Sequence, residues 1–167
     1  VKDCINKAEV LCTGEKTYKF RGYAGGIAGS LTGSGAIENC INEGTVTNYG
    51  LYTGGIVGNT EPGGSPSITA CINKGNVFSA SAAGGIVGYS EDLEVDRCGN
   101  EGRVEALCYI GGLAAKTEYN VNHYSHFTNC FNHGEIVASE WPEDWAYYGI
   151  KNMQGAAGLI AFFDSTE

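Results

Sequence analysis

A chain of 167 residues fits a single domain. With 10 Lys+Arg against 19 Asp+Glu, a net charge of −9, it lacks the clustered cations that nucleic acid or an anionic membrane surface demands. Glycine stands out at 26 positions beside only 3 Pro, a composition of many tight turns and close backbone approaches rather than of a disordered linker.

In chain order the first element is the segment Val1 to Val10, and it recurs. Cysteines at 4, 40, 71, 98 and 130 are each followed two places on by Asn6, Asn42, Asn73, Asn100 or Asn132. Two further on come Ala8, Gly44, Gly75, Gly102 and Gly134, and then Val10, Val46, Val77, Val104 and Ile136. Three places before each cysteine stands Val1, Ile37, Ile68, Val95 or Phe127. The constant residues recur every second position, the period of a β-strand that places one set on a single face.

A second element closes each unit. It reads Gly-Gly-Ile-Ala-Gly at 25–29 and Gly-Gly-Ile-Val-Gly at 54–58 and 84–88, then decays to Gly-Gly-Leu-Ala-Ala at 111–115 and Ala-Gly-Leu-Ile-Ala at 157–161. Each repeat therefore reads as strand, turn and strand, with variable loops between. Helical periodicity is absent, and glycine at this density would cost a helix about 1 kcal/mol per position.

Repeats of about 31 residues are too short for propeller blades, and no leucine ladder is present. The remaining architecture is all-β: a parallel β-helix, or solenoid, of about five coils with one repeat per coil. The repeats span roughly 1–29, 36–58, 67–88, 94–115 and 126–161 of one domain covering 1–167. Stacking would place Cys on Cys and Asn on Asn, with amide hydrogen bonds running along the asparagines and the following glycine allowing a sharp turn. In the second element neighbouring residues are both apolar, so Ala28, Val57, Val87, Ala114 and Ile160 are expected to form an outward row.

The Cys-x-Asn-x-Gly-x-Val element followed by Gly-Gly-Ile-Val-Gly resembles the GLUG-type repeat of bacterial surface proteins, which also occurs in the non-catalytic part of immunoglobulin A1 metalloproteases. The resemblance covers roughly residues 1 to 161 in five copies. It implies a secreted or wall-attached bacterial module with a structural or adhesive role, and it brings no catalytic residues. Departures are Ala8 at the turn glycine, Gly99 where the other copies have Ile or Phe, and the slipped last Gly-Gly pair. The chain starts inside its first repeat with no charged-then-apolar leader, so a larger surface protein, of which this is a fragment, is expected.

Seven cysteines is an odd count, and no Cys-x-x-Cys pair suggests zinc. Cys40, Cys71, Cys98 and Cys130 read as core packing, with most thiols free, and Cys12 and Cys108 stand outside the ladder. An aromatic cluster at Tyr18, Phe20 and Tyr23, flanked by Lys16, Lys19 and Arg21, occupies the long insertion of the first copy. His123, His126 and His133 with Glu118 could hint at a metal, but read as a polar loop, and no metal or cofactor is expected. Outward acids at Glu38, Glu43, Glu101, Glu105 and Glu135 read as a solvated face rather than catalytic carboxylates, so no enzyme is expected.

The best binding candidate is the insertion of the fifth copy, where Trp141, Trp145, Tyr147 and Tyr148 lie beside Glu140, Glu143 and Asp144. Aromatic faces with adjacent carboxylates suit sugar rings and protein hot spots alike; a loop capping the last coil is the competing reading. The function expected is a non-enzymatic, adhesin-like module at the bacterial cell surface, binding a host or dietary glycan or glycoprotein. The alternative is a rigid spacer whose partners are neighbouring domains of the same chain; a carbohydrate-active enzyme ranks third.

Overall fold

The computed structural model describes residues 1–13, 22–61, 63–119, 124–139 and 155–165. Their strands form five parallel sheets, here A to E. Sheet A holds Ala36–Glu38, Ser67–Thr69, Glu94–Asp96 and His126–Thr128. Sheet B holds Ile5–Asn6, Ile41–Asn42, Ile72–Asn73, Gly99–Asn100 and Phe131–Asn132, and sheet C holds Val10–Cys12, Val46–Asn48, Val77–Ser79, Val104–Ala106 and Ile136–Ala138. Sheet D takes Tyr23–Gly25, Tyr52–Gly54, Ala82–Gly84, Tyr109–Gly111 and Gly155–Ala157, and sheet E takes Ala28–Leu31, Val57–Thr60, Val87–Ser90, Ala114–Tyr119 and Ile160–Ser165. The chain visits the sheets in turn and then begins the next coil, so this is the parallel β-helix of about five coils that the repeat spacing predicts. Each coil is cut into five short strands, finer than the strand-turn-strand unit of the sequence reading.

Register follows the repeat. Asn42 pairs with Asn6 and Asn73, and Val77 with Val46 and Val104. The asparagines form one amide column: each Nδ2 donates to the Oδ1 of the next coil, Asn6 to Asn42 at 2.8 Å, Asn42 to Asn73 at 2.8 Å, Asn73 to Asn100 at 2.7 Å and Asn100 to Asn132 at 2.8 Å. The second amide proton goes to the carbonyl two residues on, as from Asn73 to Gly75 at 2.8 Å. Asn42, Asn73 and Asn100 are fully buried and both their protons are used, which removes the penalty of burying an amide.

The glycine after each asparagine has a different task from the one expected of it. Its φ is not positive; the left-handed turn residues are those just before each cysteine, Asp3, Asn39, Ala70, Arg97 and Asn129, with φ between 51° and 55°. Gly75 is required because a Cβ there would collide with the carbonyl of Gly44 in the coil before, and Gly102 meets Gly75 in the same way. These glycines let successive coils touch backbone to backbone.

The expected outward row is also overturned. Val57, Val87 and Ala114 are buried, and so are their neighbours Ile56, Ile86 and Leu113. Ile56 lies in the bend between the strands of sheets D and E, where strict alternation lapses, so it and Val57 enter the same core. That core joins Ile37, Ile68, Val95 and the thiols of Cys40, Cys71 and Cys98; a second one, Val77, Ala83, Val104, Ala106 and Ile110, lies between sheets C and D. All seven cysteines are free, with Cys4 exposed and Cys130 only half-buried. Cys71 Sγ accepts the Cys40 amide at 3.4 Å, and Cys98 Sγ accepts that of Cys71 at 3.4 Å, so the thiols sit in the interior as packed, weakly bonded groups.

Candidate functional site

The Gly-Gly corner shapes the outer surface. A Cβ on Gly55 would strike the Asn73 amide and the Gly85 carbonyl, so the corner between sheets D and E is drawn inward onto the amide column. A Cβ on Gly58 would stand 2.7 Å from the backbone nitrogen of Ala24, so sheet E lies directly against the sheet D strand of the previous coil. The outer faces of D and E therefore fold toward each other and open as a groove of about 360 Å³.

Sheet D supplies Tyr23 and Tyr52 from adjacent coils in direct register. Their rings stack at 6.0 Å with an interplanar angle of 17°. The next residue in that column is Ala82, and the space it leaves is used by Tyr89 from sheet E, whose ring lies 5.0 Å from Tyr52, tilted by 32°. Buried Asn48 sets the tyrosine strands: its Nδ2 donates to the carbonyls of Gly22 and Tyr52, both at 3.0 Å. On sheet E the column runs Asn59, Tyr89, Lys116.

Carboxylates close the groove. The Tyr89 hydroxyl lies in a very short hydrogen bond to Glu118 and 3.3 Å from Glu91 Oε2. Lys116 Nζ is 2.8 Å from Glu118 Oε1 and 5.6 Å from the Tyr89 ring centroid. Burial and then the bonds to Glu118 and Glu91 push the Tyr89 hydroxyl far above its ordinary range, so it stays a donor. Burial works to raise Glu118, but the hydrogen bonds from Lys116 and Tyr89 outweigh it and hold the carboxyl below its ordinary value. Thr60 fixes Glu91 through its hydroxyl, which donates to the Glu91 carbonyl at 3.0 Å and accepts the Glu91 amide at 2.9 Å. Asn59 is 4% exposed, and its side-chain amide bonds to no other described residue.

The sequence candidates are distributed differently. Trp141, Trp145, Tyr147, Tyr148, Glu140, Glu143 and Asp144 lie outside the described residues, as do Lys16, Tyr18, Lys19, Phe20, Arg21 and His123. In sequence the segments holding 16–21 and 140–148 both fall between a sheet C strand and a sheet D strand, in the first and last coils, whereas His123 falls between a sheet E strand and a sheet A strand. Of the first cluster Tyr23 is described, and it lines the groove. Glu118, noted beside the histidines, also faces the groove, whereas exposed His126 sits 3.8 Å from Glu94 and His133 packs on the Phe131 ring. The outward acids pair in part with cations: Glu38 with Lys2 at 2.9 Å, Glu43 with Lys7 at 3.7 Å, and Glu105 and Glu135 with Arg103 at 2.9 and 2.7 Å. Tyr52, Asn59, Thr60, Glu61, Tyr89 and Glu91 went unnoticed in the sequence; the one visible signal is a tyrosine two places before the Gly-Gly pair at 23, 52 and 109. Among the described residues no helix is long and apolar enough to cross a membrane.

Comparison with known proteins agrees with this architecture. The GLUG motif is matched over residues 21–47, which run from the start of the first sheet D strand into the second coil. No curated protein matches the chain in sequence. Among solved structures, a crystal structure of a "putative immunoglobulin A1 protease" from Bacteroides ovatus superposes with a TM-score of 0.58 at 18% identity, covering 89% of this chain and 46% of that one. The fold is shared, and the chain spans less than half the length of that neighbour.

Proposed function

We propose that this GLUG-motif β-helix is a secreted, non-enzymatic module of a bacterial surface protein, and that it binds a glycan or glycoprotein in the groove between sheets D and E. The observation that carries the reading is Asn59, 4% exposed, which lines the groove with no hydrogen-bond partner for its side-chain amide among the described residues, beside the Tyr23, Tyr52 and Tyr89 rings and the Glu91 carboxylate. Saccharides supply what this surface lacks: hydroxyl donors and acceptors for an amide and carboxylates, with C–H groups for aromatic rings. A rigid scaffold displaying a concave strip is also how solenoids generally present their binding surfaces. Bacterial origin and surface location rest on the GLUG motif and the Bacteroides neighbour.

The test is a glycan and mucin array probed with wild type, Asn59→Ala, Tyr52→Ala, and the Trp141→Ala/Trp145→Ala pair, each checked for folding by circular dichroism. Loss of signal in the Asn59 and Tyr52 variants is the expected result. Loss confined to the tryptophan variant moves the seat to the fifth-coil insertion. Silence from wild type leaves the chain as a rigid spacer between neighbouring domains, the reading that the continuous ladders of the solenoid favour.

A further inference from the structure

The groove's charges are unevenly answered. Glu61, Glu91 and Glu118 line it, and Lys116 is the cation beside them, already paired with Glu118. Among the described residues neither Glu61 nor Glu91 has an ion-pair partner. Tyr89 has a single hydroxyl proton, and the two carboxylates within its reach, Glu118 and Glu91, share it. Glu91 therefore has at most a share of one donor, 3.3 Å away, for its two carboxylate oxygens, and its backbone is clamped by Thr60. Nearby stands Asn59, 4% exposed, which lines the groove and whose side-chain oxygen has no donor among the described residues. A group with several N–H donors and a positive charge satisfies both, since charge-assisted bonds to a carboxylate are the strong class of hydrogen bond. The net charge of −9 acts in the same direction, because the field of the whole molecule repels anionic ligands.

We infer that the ligand of this groove carries a protonated amine, an amino sugar rather than a neutral or acidic one, its ammonium held by Glu91 and the Asn59 carbonyl oxygen. The inference rests on the saccharide reading above and specifies its chemistry. The column of Tyr23, Tyr52 and Tyr89 rings runs along the solenoid axis with one step per coil, so the sugar chain lies parallel to that axis. Because Tyr52 is flanked by the other two rings, the amine is recognised by carboxylate and amide oxygens rather than by an open aromatic face.

Titration calorimetry with four tetrasaccharides tests this: glucosamine, N-acetylglucosamine, cellotetraose and galacturonate oligomers, with spermidine as an amine that is not a sugar. At about pH 6, where such amines are charged, the glucosamine oligomer should bind at least about tenfold tighter than the N-acetylated one. That advantage should vanish at about pH 8.5 and in Glu91→Gln, a change that keeps the side-chain shape. Equal affinity for amine and neutral oligomers overturns the inference and leaves saccharide binding standing. Binding of spermidine without any saccharide preserves the amine and overturns the sugar. Preference for galacturonate, or no binding to any probe, overturns the inference outright.

Discussion

The Phe131 ring lies across Gly99, on the outer face of sheet B, where the other copies carry Ile5, Ile41 and Ile72. A Cβ at position 99 would fall inside the ring, so the missing side chain of one coil is filled by the oversized one of the next. Restoring the repeat by Gly99→Ile should therefore cost stability only modestly, by about 1 kcal/mol or less, because the tip of the half-exposed Phe131 ring has to move aside. Gly99→Ile combined with Phe131→Ile should recover most of that loss. A double-mutant cycle from urea melts reads the coupling directly, and additive effects would show that the two sites do not share this space.

Asn73 is the centre of the amide column. It accepts from Asn42, donates to Asn100 and Gly75, and is fully buried. Asn73→Leu leaves an Asn42 proton, the Asn100 oxygen and the Gly75 carbonyl without their partner, and each buried orphan costs about 1 to 3 kcal/mol. The expected loss exceeds about 3 kcal/mol, a fall in Tm of roughly 10 °C for a chain of this size. Asn132→Leu, at the half-buried end of the column, should cost clearly less. Equal penalties at the two sites would mean that the column does not work as a cooperative unit.

Ala70 offers the opposite case. Its φ of 53° lies in the left-handed region, which costs an ordinary residue about 1 to 2 kcal/mol, and three of the four equivalent turn positions carry Asp3, Asn39 and Asn129. The side chain is exposed, so Ala70→Asn changes the backbone preference without touching the core. A rise of about 1 kcal/mol in unfolding free energy is expected, while Ala36→Asn, in an extended strand, should give no gain.

The thiols make a prediction with a pH sign. Burial pushes the Cys108 thiol up to about 11, so the folded protein keeps a proton there that the unfolded chain releases at the ordinary thiol value. The stability this contributes is present below the unfolded value, and it is lost as pH rises toward about 11. Denaturation midpoints should fall across that alkaline window, and the fall should be smaller in Cys108→Ala. At neutral pH a thiol reagent should modify exposed Cys4 first, spare Cys40, Cys71, Cys98 and Cys108, and find all seven thiols only after denaturation.

What could be read in the sequence and what could not divides along physical lines. The amide column was legible because a side chain stacked on its own kind must recur at one position in every copy, as Asn6 to Asn132 do. The inward course of both Ile56 and Val57 was not, because period-two alternation presumes a continuous strand and the Gly54-Gly55 corner interrupts it. Nor was the groove. Tyr23 and Tyr52 share a column, but Tyr89 arrives from another sheet to fill the gap at Ala82, and no spacing rule links position 89 to position 52. The cluster from Trp141 to Tyr148 drew notice because its aromatics are adjacent in the chain, whereas the groove assembles its own from three coils.

Thr60 separates positioning from mere stability. Its hydroxyl makes two hydrogen bonds to the backbone of Glu91, one as donor and one as acceptor, across neighbouring coils of sheet E. Thr60→Val keeps the shape of the side chain and removes both, at a cost of about 1 to 3 kcal/mol for the buried groups left unpaired. If Thr60 serves only the fold, ligand affinity of the folded variant should match wild type once measured well below its melting temperature. If it sets Glu91, affinity for an amine-bearing oligosaccharide should drop several-fold while affinity for a neutral one stays level, and Thr60→Ser, which keeps the hydroxyl, should restore the preference. The split between the two ligands is the readout, because a general loosening of the groove would weaken both together.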